Sequence, residues 1–280
     1  MDRRVDAGAS ERKIGFDSHR SLFEDAFIMI RYMRKLTESF IPKLLGMSFG
    51  GTNPILEFRN YTTIRLNERR MEHLASLRLD LADAKVFEVG AGIGNLTGFF
   101  VDRRCKVVST EARPENLKYL AARYPDIQTR LLDLDNPDLN FPEPFDIVFC
   151  YGLLYHLKRP AEAIEYMARQ CRKMLLLETC VSFGEHSALN PLEEDKQRVS
   201  QAVSGVGCRP TRPWVVDELK KHFGFVYSPI SQPSHPMFPL DWSTPSAHKD
   251  LLVRAVFIAS KAKLENSFLV EGLPMKQQLS

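Results

Sequence analysis

The sequence predicts an α/β fold: a doubly wound, mostly parallel sheet of seven strands with a helical segment before it. Three observations point there. From Ala84 onward, short apolar runs alternate with amphipathic helical patterns. A glycine-rich turn, Glu88-Val89-Gly90-Ala91-Gly92-Ile93-Gly94-Asn95, follows the first apolar run. An acid, Glu111, closes the second run about 20 residues after Gly90.

Residues 1–20 are polar and charged and read as a leader without the apolar stretch of a signal peptide. From Ser21 to Leu45, Phe23, Phe27, Ile30, Met33 and Leu36 advance at helical spacing until Pro42 interrupts. Gly46–Pro54 reads as a loop, and Asn60–Leu79 as a second helix whose arginines, Arg65–Arg70, lie on a solvated face. Residues 1–80 are thus expected to form a helical lid or cap.

Strands are predicted at 85–89, 106–110, 126–131, 145–150, 173–178, 224–228 and 251–260. Helices are predicted at Leu96–Asp102, Pro114–Arg123, Pro160–Gln170 and Pro213–His222, the second with proline in its first turn. Right-handed crossovers put the turns after the parallel strands on one edge. The main domain is expected over 81–262, with a partly helical insertion over about 179–212. A proline-rich loop over about 231–245 is expected to cap a pocket with Phe238 and Trp242. Residues 263–280 read as a flexible tail.

The composition, 44% hydrophobic and 26% charged, is that of a soluble globular chain, and no apolar run is long enough to span a membrane. A net charge of +3 is too small to argue for nucleic acid. The five cysteines form no C-x-x-C pair and read as reduced thiols of a cytoplasmic protein.

The glycine turn lets a strand pass sharply into a helix and lets a ligand approach the main chain. In open α/β sheets that edge binds ligands, and an acid at the end of the second strand can accept both hydroxyls of a ribose. A dinucleotide site needs G-x-G-x-x-G. Here the third glycine comes one residue early, at Gly94, and Glu88 stands beside the turn. An acid there suits an ammonium rather than a diphosphate, which favours S-adenosylmethionine over a nicotinamide dinucleotide.

EVGAGIGN, VVSTEARPENL, LLDLDNPDL and FDIVFCYGLLYHLKRPAEAI, in that order, resemble the successive motifs of class I S-adenosylmethionine-dependent methyltransferases over about residues 84–260. The resemblance implies an antiparallel last strand and a set of cofactor contacts. Glu88, Gly90, Ala91, Gly92 and Asn95 would hold the methionine part, and Glu111 the ribose, with Ala112 and Arg113 beside it. Asp133 and Leu134 would hold the adenine, and Tyr151 would flank the sulfonium or the acceptor entrance. YGLLYHLKRPAEAI, MLLLETCVSFGEH and RPTRPWVVDELKKHFGF are also similar to the carboxymethyltransferase of the transfer-RNA wobble uridine and its natural-product and glycan relatives. The leader is shorter than that enzyme's and carries no strong basic patch, so neither its carboxylated cofactor nor its RNA substrate is carried over.

His156 reads either as a general base for a substrate hydroxyl or as a histidine packing at the next helix start. Glu178, Glu185 and His186 read as a polar loop rather than a metal site, so no metal is expected. After the fourth strand, Cys150-Tyr151-Gly152-Leu153 lacks the Asn/Asp-Pro-Pro-aromatic signature of base or glutamine amino-group methylation. That favours oxygen, or carbon, over nitrogen, and the expected acceptor is a small molecule or a carbohydrate, methylated at oxygen. A transfer-RNA acceptor, a non-catalytic binding module and a homodimer remain open.

Overall fold

The computed structural model describes residues 52–248 and 252–280. The helix expected over 21–45 lies outside them. Asn53 caps α1 (Pro54–Phe58) by accepting from the Ile55 and Leu56 amides, and Asn60 caps α2 (Tyr61–Ser76) through the Thr63 amide at 2.9 Å. The strands and remaining helices are β1 (Lys85–Val89), α3 (Gly98–Val101), β2 (Lys106–Glu111), α4 (Pro114–Arg123), β3 (Gln128–Leu131), β4 (Phe145–Tyr151), α5 (Pro160–Arg169) and β5 (Cys171–Cys180). After them come β6 (Leu189–Glu193), β7 (Val206–Pro210), α6 (Arg212–Lys220), β8 (Phe225–Pro229), β9 (Ser231–Gln232), β10 (Arg254–Ser260), β11 (Leu269–Glu271) and β12 (Gln278–Leu279).

The central sheet runs β11-β8-β10-β5-β4-β1-β2-β3. The five strands from β5 to β3 are parallel, and β10 is antiparallel to both its neighbours. The predicted doubly wound sheet with an antiparallel last core strand is therefore observed.

Alternation along the strands assigns side chains to two faces. Phe87, Val89, Val148, Cys150, Leu175 and Leu177 pack against α5 and α6 through Ile164, Met167, Val215 and Leu219. Val86, Ile147, Phe149, Tyr151, Leu176, Val256 and Ile258 pack on the other face against Leu66 and Leu74 of α2 and Phe100 of α3. Both faces of β4 are buried, which is why the run after Asp146, IVFCY, is apolar without alternation.

Four expectations need correction. The 179–212 insertion is not helical: β6 pairs antiparallel with β7, Pro191 opposite Cys208. Proline lacks the N–H that a helix interior needs but is tolerated in a two-stranded ribbon. The chain after Lys261 is not a loose tail. β11 adds an eighth strand antiparallel to β8, and β12 pairs with β9. The open edge of β8 and the apolar side chains Leu264, Phe268 and Leu269, which join the α2-side core, draw it in. Phe238 and Trp242 are both core residues, 3% and 5% exposed, which corrects the reading of them as walls alone. Trp242 is held by Gln277 at 2.8 Å and stacked under Arg212, while Phe238 also borders an open cavity of about 500 Å³ with Ser234, His235 and Leu279. Finally, Arg70 leaves the solvated face of α2 and is buried against the sheet.

Candidate active site

The glycine turn and Glu111 meet at the carboxyl edge of β1 and β2. Gly92 has φ +57°, and a Cβ there would lie 3.2 Å from the Phe58 ring, so only glycine fits the turn under that ring without strain. Glu111 is buried. Its Oε2 accepts from the Gly92 amide at 2.9 Å, and its Oε1 from the Arg113 amide at 3.0 Å and from Asn116 at 3.3 Å. Burial pushes its carboxyl above the usual range, with these donors pulling it down. A fixed carboxylate beside a glycine turn is what a ribose and an amino-acid moiety require, so these residues fit S-adenosylmethionine.

The other expected contacts are placed less uniformly. Glu88 is 2% exposed and pairs across the sheet with Ser109, whose hydroxyl, with that of Thr97, donates to Glu88 Oε2 at 2.6 and 2.7 Å. Burial raises its carboxyl's pKa. The Asn95 amide donates to the Phe58 carbonyl at 2.7 Å and accepts from Arg123, tying the turn to α1. Gly90 and Ala91 lie in the turn, and Ala112 and Arg113 are half-buried just after β2. Asp133 follows β3 and accepts from the Asp135 amide, with Leu134 buried behind it. Tyr151 points to the α2 face, its ring 4.5 Å from Phe149 and its hydroxyl buried without a hydrogen-bond partner among the described residues.

The β6–β7 insertion arches over this edge. Near β2, Arg113 donates to the carbonyls of Lys196 and Gln201, and Asn116 to that of Val199. From α1, Glu57 accepts from Arg198 at 2.6 Å and from Ser200. At the far end the arch reaches the short 3-10 turn Leu154–His156 after β4, where His156 Nδ1 lies 2.5 Å from Glu194 Oε2. The same insertion thus bonds both to Asn116, which donates to Glu111, and to His156. Burial holds the His156 imidazole below its usual range, opposed by Glu194.

Below the roof sits a charged cluster that sequence reading missed. Glu178, fully buried, accepts from Arg70 at 2.7 Å and Arg254 at 3.0 Å, and Arg254 donates to the Tyr155 hydroxyl at 3.0 Å. Strand parity carried a signal: Glu178 and Arg254 share the face of Leu176, Val256 and Ile258, and Val256 is the cross-strand partner of Glu178. Nothing local in the polar run EEDKQR marks Glu194. Glu178 is committed to two arginines, whereas Glu185 and His186 are exposed, so the three are not brought together. Among the described residues no helix is long and apolar enough to cross a membrane.

Residues 87–174 match the model of the methyltransferase domain family. The transfer-RNA U34 carboxymethyltransferase of Mannheimia succiniciproducens is 33% identical over 163 residues, 55% of this chain and 48% of that protein. That of Pseudoalteromonas atlantica is 30% identical over 129 residues, 44% of this chain and 38% of that protein. The chain spans about half, or less, of the length of these curated relatives. The crystal structure of the N-terminal domain of EvdMO1 with S-adenosylhomocysteine and D-fucose has a TM-score of 0.54 at 17% identity, covering 69% of this chain and 82% of that one. An S-adenosylmethionine-dependent methyltransferase from Mesorhizobium loti gives 0.50 at 15% identity, covering 69% and 97%. At these identities the solved structures establish the shared fold.

Proposed function

We propose that the chain, whose residues 87–174 match the methyltransferase domain family, is a class I S-adenosylmethionine-dependent methyltransferase that transfers a methyl group to an oxygen of a small-molecule or carbohydrate acceptor, with His156 as the proton acceptor. One observation carries this reading: the β6–β7 insertion spans from Asn116 of α4, which donates to Glu111, past Glu57 of α1 to His156 in the turn after β4, so one segment covers both groups. Such a covered site suits an acceptor small enough to enter beneath the roof and a reaction that benefits from excluding water. We assign residues 81–262 as the catalytic unit, completed by Phe58 over the glycine turn and by the strands after Lys261.

In this reading Glu111 accepts the ribose hydroxyls, and Gly90, Ala91 and Gly92 offer bare main chain to the methionine part. Ala112 and Arg113 lie beside the ribose, Asp133 and Leu134 border the adenine, and Tyr151 lies at the acceptor side. Glu88, engaged by Thr97 and Ser109, anchors the turn and reaches the ammonium through water. Asn95 clasps α1 over the cofactor. When bound, the cofactor supplies an activated methyl group on a sulfonium. The protein's larger contribution is orientation, which can lower a barrier by about 7–11 kcal/mol. A base adds about 10²–10⁴-fold.

Calorimetry with S-adenosylmethionine tests the cofactor side. Wild-type protein should bind, and Glu111→Ala should weaken binding about 30-fold or more, as expected for hydroxyls lost from a charged acceptor at about 1.5–3 kcal/mol each. No binding by the wild type would sink the reading. The sequence relatives favour a second acceptor, a transfer RNA. Binding of unmodified transfer RNA that falls steeply with salt, together with label transfer to it, would select that acceptor instead.

A further inference from the structure

We propose that Glu194 is the positioning residue for His156, holding the ring so that Nδ1 carries the proton and Nε2 presents its lone pair to the acceptor. This rests on the reading of His156 as the proton acceptor. Glu194 belongs to the roof, immediately after β6, and its side chain is 2% exposed. Its Oε2 lies 2.5 Å from His156 Nδ1 and accepts from the Ala202 amide at 2.8 Å. An ionised carboxylate can only accept, so the neutral imidazole facing it must place its proton on Nδ1. The remaining nitrogen, Nε2, is then the basic one. The Tyr155 ring fixes the imidazole plane, with centroids 4.0 Å apart.

The groups facing this pair are Arg209, 3.5 Å from Glu194 Oε1, together with Arg254 and the Tyr155 ring. Burial works against ionising Glu194, but His156, the Ala202 amide and Arg209 outweigh it and keep the carboxylate charged. The contact is also built into the hairpin. A Cβ at Gly207 would meet the Tyr155 carbonyl at 2.5 Å and Glu194 Oε1 at 2.9 Å, so a bare residue is needed for β7 to seat against the turn. In the reaction the acceptor oxygen bonds to the methyl carbon as its O–H bond breaks. The proton passes to Nε2, the sulfonium is left as a neutral thioether, and the new imidazolium charge lies next to the Glu194 carboxylate. The arrangement is the orienting logic of a carboxylate–histidine pair.

Nitrogen-15 NMR of the full chain labelled at histidine tests this without knowledge of the acceptor, with His156 assigned by the resonance lost in His156→Asn. The wild type should show a protonated Nδ1 and an unprotonated Nε2 at neutral pH. Glu194→Gln should mix the tautomers and lower the titration midpoint of His156 by about one pH unit, while Glu194→Asp, which keeps the charge, should restore most of both. A wild-type ring protonated on Nε2, or a Glu194→Gln spectrum and midpoint identical to wild type, overturns the inference. Once an acceptor is in hand, an Nδ1-protonated wild type whose His156→Asn variant retains full turnover would instead remove the base reading itself, so the two failures are told apart.

Discussion

Replacing Glu178 by glutamine should destabilise the protein more than any surface change. The carboxylate is fully buried, and Arg70 and Arg254, 7% and 6% exposed, sit 2.7 and 3.0 Å from its two oxygens. The Nε atoms of both arginines are buried without a partner, and no other carboxylate pairs with either among the described residues. Glutamine keeps the shape but leaves two guanidinium charges facing each other. At an effective dielectric of about 20, each lost charge pair at about 4 Å is worth about 4 kcal/mol before relaxation. Breaking buried pairs costs about 3–5 kcal/mol in practice. For a folded region of this size that lowers Tm by about 6–20 °C. Urea denaturation measures it, with an unchanged m-value as the check that the unfolded state is unaffected. The combined variant Arg70→Met, Glu178→Met, Arg254→Met removes the charges together and should lose less than half as much, because the desolvation cost disappears with them. A Glu178→Gln loss below about 1 kcal/mol, or a triple variant as damaged as the single one, would refute the claim that charge compensation holds this part of the core.

His73 makes stability acid-sensitive. It is fully buried, its Nε2–H donates to the Ser231 carbonyl at 3.0 Å, and burial lowers its pKa to about 4. Because the folded state resists the proton that the unfolded chain accepts near pH 6.5, stability is full above that value. It should fall by about 3 kcal/mol as pH drops to about 4. His73→Gln should flatten that slope, and equal slopes in urea titrations of both proteins would rule the mechanism out. Gly92→Ala forces a side chain into left-handed backbone under the Phe58 ring and should cost about 1–2 kcal/mol, with weaker S-adenosylmethionine binding by calorimetry; a loss within error would contradict the turn geometry. Ending the chain at Ala262 exposes the edge of β8 and removes the Gln277 partner of Trp242. A melt should show a drop of several degrees and binding of a hydrophobic dye, and an unchanged Tm would mean that β11 and β12 contribute nothing.

Much of this was legible in the sequence because it rests on short-range rules. Short apolar runs named the strands, and the spacing of Gly90 and Glu111 followed from one strand–helix–strand unit. The cross-strand pairing of Glu88 with Ser109 follows from the register of β1 and β2. What the sequence alone determined, then, is the doubly wound sheet, the glycine turn and the acid facing it. All of them depend on contacts within one or two elements. Only the tertiary structure decided that Glu194 meets His156, that Glu57 meets Arg198, and that Arg70 reaches Glu178, 108 residues away in the chain. Those pairings depend on how the hairpin, α1 and α2 dock against the sheet. A polar residue in a polar run looks the same to local rules whether it faces water or a buried partner. The roof over the sheet edge, with the acceptor choice that rests on it, belongs to that second kind of information.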